Sequence, residues 1–309
     1  MKVLVYEHIT SGALINEHLP ASLSHEGNKM LTAIVHDMAE ISDIELIILR
    51  DKRLVSFPDI LNPHQHCCYI INNIDEFQQY YTEALDKADA VFVIAPETEG
   101  RLQIIQQSVL DKGKQLLGCL PSAIQICSDK VLTYQQLLEK NLATPSTILA
   151  NNYSHQSFKS PTGFIIKPRD GAGCIDTLFF EHAAALETWL TTTDNNLEQV
   201  ILQPYINGLA ISLTVLLDER GSRVLAINQQ HIKLRDGILS FHGCSVNSIT
   251  ETQFSLKKAN DIAQHVHYAI PGLWGFIGID LIISDDETYV VDINPRLTTA
   301  YVGLHQSIN

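Results

Sequence analysis

The sequence predicts a parallel α/β unit followed by an α+β unit, and three observations carry that reading. Up to about residue 120, short apolar runs alternate with segments of helical period. Beyond Pro121, strand-like runs follow one another with few helices between them. The chain has 309 residues, more than one ordinary core serves, since single cores stop growing at roughly 250–300 residues.

In the first unit, Lys2–Tyr6 is a short apolar strand, and Glu26–Ala39 places Met30, Ile34, Val35 and Met38 at helical spacing. Ile44–Leu49 reads as a strand, Ile74–Ala88 as a helix and Ala90–Ile94 as a buried parallel strand. Gly100–Leu110 follows as a helix and Gln115–Leu117 as a strand. This βαβα order implies a parallel sheet with helices on both faces. Ligands of such sheets sit at the carboxyl ends of the strands. There Glu7, His8, Ser11 and Gly12 follow the first strand, and Pro96, Glu97 and Thr98 a later one. A helix cap or a solvated loop charge explains Glu7 and Glu97 equally well. No G-x-G-x-x-G follows the first strand, which disfavours a dinucleotide.

In the second unit, Asp129–Lys140 is helical, and Thr144-Pro145 leads into a polar loop over 151–160. A strand, Gly163–Lys167, runs into the loop Asp170-Gly171-Ala172-Gly173, and His182–Thr191 is helical. Strands recur at Val200–Gln203, Ile211–Leu217 and Val224–Ile227. A helix over Ser255–Ala269 precedes strands at Gly275–Ile283 and Thr288–Ile293. Strands in direct succession pair antiparallel, hence α+β.

With 35 acidic against 21 basic residues the net charge is −14, which argues against a nucleic-acid binder or a polybasic membrane anchor. Phosphate binding stays open, because a few local cations and backbone amides suffice. The amino terminus turns polar too early for a signal peptide, and no apolar run reaches the ~20 residues of a membrane span. A soluble, cytoplasmic protein is expected. Cysteines 67, 68, 119, 127, 174 and 244 form no C-x-x-C pair and read as free thiols. His64 and His66 beside Cys67 fall short of a zinc ligand set, and His265 and His267 point different ways from one helix.

The sharpest chemical signal is the last strand pair. With Asp285–Glu287 as the hairpin loop, Ser284 faces Thr288 and Asp280 faces Asp292, with Asn294 on the same face. Opposed carboxylates repel, and a hard cation between them resolves the repulsion. Two Asp and one Asn suit magnesium, or manganese, retaining waters and nucleotide phosphates. A register slip of one residue would part the two acids. The second signal is Lys167, which ends a buried strand just before Gly171 and Gly173, a loop able to bring N–H groups to phosphates. It is not a Walker A loop, because the lysine precedes the glycines. Lys130, in Ser128-Asp129-Lys130, is by itself a helix-start charge.

In order, these pieces are Ser128-Asp129-Lys130, Lys167 before the glycine loop, Gln203-Pro204-Tyr205-Ile206-x-Gly208, Asp280, and Asp292-x-Asn294-Pro295-Arg296. Together they resemble the ATP-grasp ligases over about residues 121–300. The resemblance implies an ATP-grasp fold preceded by a Rossmann-like parallel α/β domain. It divides the chain into 1–120, a lid subdomain over 121–200 and a catalytic subdomain over 201–309. It implies ATP and magnesium, with Lys130 and Lys167 on the phosphates and Gly171 and Gly173 in the lid. Gln203, Pro204, Tyr205 and Ile206 fall at the adenine hinge, and Asp280, Asp292 and Asn294 at the metal. Three positions depart from the family pattern: Gln203 stands where Glu is usual, Ala210 where an acid holds the ribose, and Asp292 where Glu is usual.

A narrower set is Glu7, Ser11-Gly12, Pro20-x-Ser22-Leu23-x-x-Glu26-Gly27-x-x-Met30-Leu31, Ala95-Pro96-Glu97-Thr98 and Asn294–Leu304. It resembles the branch containing tyramine–glutamate ligase of methanofuran biosynthesis and its bacterial C1-carrier relatives. That likeness implies substrate contacts at Glu7, Glu97, Thr298, Thr299 and Tyr301. The implied activity joins a small carboxylate to a small amine through an acyl phosphate, with Arg296 stabilising the developing oxyanion and Arg235 a second catalytic candidate. A nucleotide- or metabolite-binding regulator of the same fold is the competing expectation. The apolar helix faces of the parallel domain leave a homodimer open.

Overall fold

The computed structural model describes residues 1–54, 66–171, 173–285 and 287–308. The chain divides into two compact units, one of Met1–Pro96, Gly100–Pro121 and the chain from Arg296 onward, the other of Glu97–Glu99 and Ser122–Pro295.

The first unit runs β1 (Lys2–Glu7), α1 (Ala21–Ala39), β2 (Glu45–Asp51), β3 (Cys67–Ile71), α2 (Ile74–Lys87), β4 (Ala90–Ile94), α3 (Arg101–Asp111) and β5 (Gln115–Leu116). The sheet order is β3-β2-β1-β4-β5 and every pair is parallel. Val3, Leu4, Val5 and Leu46–Leu49 are buried without alternation, as a sheet covered on both faces requires. The sequence reading lacks β3, an edge strand in which Cys67, Cys68 and Tyr69 are half-buried, Ile70 faces solvent and Ile71 alone is fully buried. It also starts α1 five residues late. Pro20 at the cap and an exposed Leu23 hide the first turn from the apolar period.

The second unit runs α4 (Pro121–Ser128), α5 (Lys130–Glu139), β6 (Ile148–Leu149), β7 (Phe164–Pro168), β8 (Thr177–Phe180), α6 (Ala183–Thr192) and β9 (Val200–Pro204). It continues with β10 (Leu209–Asp218), β11 (Gly221–Arg235), β12 (Ile238–Ser245), α7 (Leu256–Ala269), β13 (Gly275–Ile283) and β14 (Thr288–Asn294). One nine-stranded antiparallel sheet results, ordered β14-β13-β10-β11-β12-β8-β7-β9-β6. One face of the sheet is apolar. Ile211, Leu213, Ile279, Leu281, Val290 and Ile293 are buried at one end, and Phe164, Ile166 and Leu202 pack with Leu186 of α6 at the other.

The β13–β14 hairpin differs from its expected form in an informative way. Ile283 pairs with Thr288, so the Ser284–Thr288 pair does not form, and Ser284 N–H instead closes the loop on the Glu287 carbonyl at 2.9 Å. Asp286 of that loop lies outside the described residues. The register then shifts between Asp280 and Leu281, leaving Val291 as an unpaired bulge. Beyond it Asp280 stands directly opposite Asp292.

The last helix, α8 (Tyr301–Ile308), belongs to the first unit, where the phenol of Tyr301 donates to Asp37 of α1 at 2.5 Å. The sequence reading carries the catalytic segment to residue 309, whereas the chain from Arg296 onward folds with the parallel sheet. Among the described residues, no helix is long and apolar enough to cross a membrane.

Candidate functional site

The polar face of the nine-stranded sheet gathers most of the chemistry. Registers across β14, β13, β10 and β11 align Asp292, Asp280, Ser212 and Asn228 in one row, all pointing to one side. Gln230, two residues beyond Asn228, shares that side, and its Nε2 donates to Asp280 Oδ1 at 3.0 Å. Asn294 Nδ2 donates to Asp280 Oδ2 at 3.4 Å, so both oxygens of this carboxylate are oriented. Asn228 is fully buried and saturated. It donates to Ser212 and Thr214 at 3.3 and 3.1 Å, and accepts from the Asn247 N–H at 3.0 Å. A satisfied network of this kind makes a polar floor rigid.

Further along the same face stand Lys167 and Ile165 of β7, with Gln203 and Phe179 each opposite Ile165. Lys167 is pushed down to about 8, first by loss of solvent and then by the charge of Lys130, while Asp292 and Asp280 pull the other way. Lys130 opens α5, whose cap Asp129 accepts from the N–H groups of Val131 and Leu132. The Lys130 ammonium donates to the Gly171 carbonyl at 2.5 Å and lies 3.8 Å from Asp292 Oδ2. Arg169 donates twice to Asp129, at 2.6 and 2.9 Å, which ties the start of α5 to the glycine loop. Gly171 and Gly173 both have positive φ, 130° and 70°, conformations that side chains resist. Ala172 between them lies outside the described residues. Glu97, Ser128, Gly171, Asp292 and Asn294 line one small cavity.

The other expected residues have partners of their own. Glu7 is buried in the first unit and accepts from Ile9 N–H at 3.2 Å, Thr10 N–H at 2.7 Å and the Thr10 hydroxyl at 2.6 Å. Helix α1 passes so close that a Cβ on Gly27 would meet the Glu7 carboxyl at 2.7 Å. Thr298 and Thr299 use their carbonyls to start α8, accepting from Tyr301 and Val302. Arg296 donates to the Leu297 carbonyl at 3.2 Å and clusters with the first unit. Arg235 is a correction. It neighbours Leu234, which shares the side of Lys167, so alternation turns it to the opposite face, exposed at the β11–β12 tip beside Asp236. Pro204 and Ile206 are half-buried, Tyr205 N–H donates to the Gly163 carbonyl at 2.9 Å, and its ring meets Phe179 edge-on at 4.9 Å. His64 lies outside the described residues, and His66 Nδ1 accepts from Leu46 N–H at 3.1 Å.

Sequence reasoning missed Gln230, Asn228 and Ser212. The available signal was an amide or hydroxyl recurring at even positions inside strands that are otherwise apolar.

Asp280 is pushed up to about 7, chiefly by loss of solvent and then by the charge of Asp292. The folded chain therefore keeps a proton that an unfolded chain loses near 3.8. That contribution to stability is complete below the ordinary carboxylate range and is lost as pH rises through about 7. In metal-free protein, the thermal midpoint of the wild type relative to Asp280→Asn should fall between about pH 4 and about pH 8. A gap that is constant with pH would show that Asp280 ionises normally.

The donors of this site are all hard oxygens, from two opposed carboxylates and an amide. They fit magnesium, which binds few protein ligands and keeps its waters. Among the described residues no group of three His, Cys, Asp or Glu is placed to hold a metal, so the Asn294 amide is needed as third donor.

Comparison with known proteins places the chain in a wider set. A model of the ATP-grasp domain matches residues 127–300, and one of the pre ATP-grasp 3 domain matches residues 44–124. Tyramine–L-glutamate ligase of Methanocaldococcus fervens is 26% identical over 307 residues, covering 98% of this chain and 89% of that protein. The structure of an ATP-grasp superfamily protein from Archaeoglobus fulgidus superposes with a TM-score of 0.72 at 22% identity, covering 99% of this chain and 84% of that one. D-alanine–D-alanine ligase from Bacillus anthracis, solved with ATP, gives a TM-score of 0.59 at 14% identity, covering 96% and 86%.

Proposed function

We propose that this chain, which belongs to the ATP-grasp family, is a ligase that joins a carboxylate to an amine while ATP is cleaved to ADP and phosphate. The observation that carries the reading is the single sheet face on which Lys167 stands within electrostatic reach of Asp280 and Asp292, with Lys130 of α5 beside Lys167 and 3.8 Å from Asp292. Cations beside paired carboxylates, next to a glycine loop, suit a polyphosphate and its counter-ion.

In this reading Lys130 and Lys167 offset phosphate charge, and the backbone N–H groups of Gly171 and Gly173 approach the transferring group. Lys130 now spends its ammonium on the Gly171 carbonyl, so phosphate entry exchanges that bond for a stronger charge-assisted one. Gln203, Pro204, Tyr205 and Ile206 border the nucleobase. Asp280, Asp292 and Asn294 hold magnesium, which when bound adds positive charge against the phosphate oxygens. Glu97 borders the cavity beside Asp292 and suits recognition of a cationic amine. Arg296 follows Asn294 by two residues along the chain, and the reading gives it the negative charge that develops at the acyl centre.

The full-length likeness to tyramine–L-glutamate ligase supports glutamate as the acid, with tyramine or a tyrosine-like amine as its partner. Incubated with ATP, magnesium and both substrates, the protein should release ADP and inorganic phosphate only when acid and amine are both present. Release of AMP and pyrophosphate would sink the assignment. Phosphate release with acid alone, trapped as a hydroxamate, would instead mark a kinase that stops at the acyl phosphate. One observation favours a regulator without turnover. Ala210, opposite Ile282 at the edge of the polar face, offers no carboxylate to a ribose. ATP binding with no substrate-dependent phosphate release would select that reading.

A further inference from the structure

Gln203 is 5% exposed, yet its amide is only half used. Its Nε2 donates to Thr147 Oγ1 at 2.8 Å, and Thr147 donates its own hydroxyl hydrogen to the Pro145 carbonyl at 2.8 Å. That chain of donors has one direction. With its hydrogen committed to Pro145, the Thr147 oxygen accepts and cannot donate. A flipped Gln203 would set its carbonyl oxygen against it with no hydrogen between. The Gln203 Oε1 has no partner among the described residues and is not sealed from solvent. An open acceptor is thus fixed on a side chain that is otherwise buried.

Its surroundings describe what it would accept from. Ile165 lies directly across from Gln203, Phe179 directly across from Ile165, and the Tyr205 ring meets Phe179. A Cβ on Gly163 would strike the Phe179 ring at 2.6 Å, so Gly163 leaves that ring its place on the wall. Lys167 follows Ile165 on the same face, about 7 Å along the strand. An apolar and aromatic wall, an acceptor at one end and a cation toward the other match a planar heterocycle bearing an exocyclic amine, with an anionic tail.

Resting on the ligase reading above, we infer that Thr147 is a positioning residue for nucleobase choice. By locking the Gln203 carboxamide with its oxygen outward, it selects a 6-aminopurine triphosphate over a 6-oxopurine one. A glutamate at this place would present acceptors without help, whereas a glutamine can present either end. The lock supplies the missing direction. A 6-oxopurine sets its own carbonyl against Oε1 and leaves both acceptors without a donor.

Binding of ATP and of inosine triphosphate, measured by calorimetry with magnesium and no acceptor substrates, tests this apart from turnover. The wild-type chain should prefer ATP on the order of tenfold to a hundredfold. Thr147→Val, which keeps the shape and removes the hydroxyl, should bring the ratio toward unity, and Thr147→Ser should restore it. Gln203→Glu, with acceptors only, should keep the ATP preference even when combined with Thr147→Val. An unchanged ratio in a folded Thr147→Val protein overturns the inference while the ligase reading stands. If Thr147→Val does not fold, loss of ATP preference in Gln203→Glu overturns it. If the wild-type chain binds neither triphosphate, both readings fall.

Discussion

Asp292→Asn and Asp280→Asn should each lower turnover by about two to three orders of magnitude while leaving the protein folded. The two carboxylates face each other across β13 and β14, and Asp280 alone among them is tied by Gln230 and Asn294. In the metal-free chain this arrangement is a liability, since loss of solvent and then the charge of Asp292 make Asp280 keep a proton up to about 7. An amide in either position prevents the second negative charge from forming and keeps the shape. The metal-free midpoint should therefore hold steady or rise, while magnesium affinity and turnover fall together. Purified variants, compared by thermal melting with and without magnesium and by phosphate release, decide the matter. Heavy loss of stability with normal turnover of the folded fraction would make the pair structural and move the metal elsewhere.

Lys167→Met carries the second large effect, a fall in turnover on the order of a hundredfold with weaker ATP binding. Burial and the nearby Lys130 bring the Lys167 ammonium down to about 8, so near that pH the free protein holds it only partly protonated. A bound polyphosphate favours the charged form and raises this value again. ATP binding near pH 8 should then draw a proton from solution, read by calorimetry in buffers of different ionisation enthalpy. The uptake should vanish in Lys167→Met. Uptake that persists in the variant would assign the proton to another group.

The parts of the candidate site that are legible in the sequence are those where a polar residue breaks an apolar pattern. Asp280, Asp292 and Asn294 stand out because strands that bury apolar residues give them no structural reason to be there. Lys167 stands out for the same reason, at the end of Phe164-Ile165-Ile166. What stayed hidden depends on pairings distant in sequence. Thr147 meets Gln203 across 56 positions and Gln230 meets Asp280 across 50, and no local period announces either. Arg235 was misplaced for the opposite reason, since its charge was visible while the side of β11 it occupies depends on the β12 and β8 registers. Strand β12 was invisible because it is half-exposed and Ser240, His242 and Gly243 interrupt its apolar positions, whereas β8 offers only the short run Leu178-Phe179-Phe180 between loops.

The bulge at Val291 changes the parity of its strand. Before it the even positions Thr288 and Val290 are buried, and after it the odd position Ile293 takes their place. Counted without the bulge, Asp292 would join the even, apolar class and Ile293 would stand among the carboxylates. The local sequence Tyr289-Val290-Val291 thus reads as one apolar run because two alternations overlap there by a single residue. It follows that the loop and the site tolerate change by different arithmetic. Residues gained or lost between Ile283 and Thr288 alter only the tip, whereas one residue gained or lost between Val290 and Asp292 exchanges the inner and outer classes of every position beyond it.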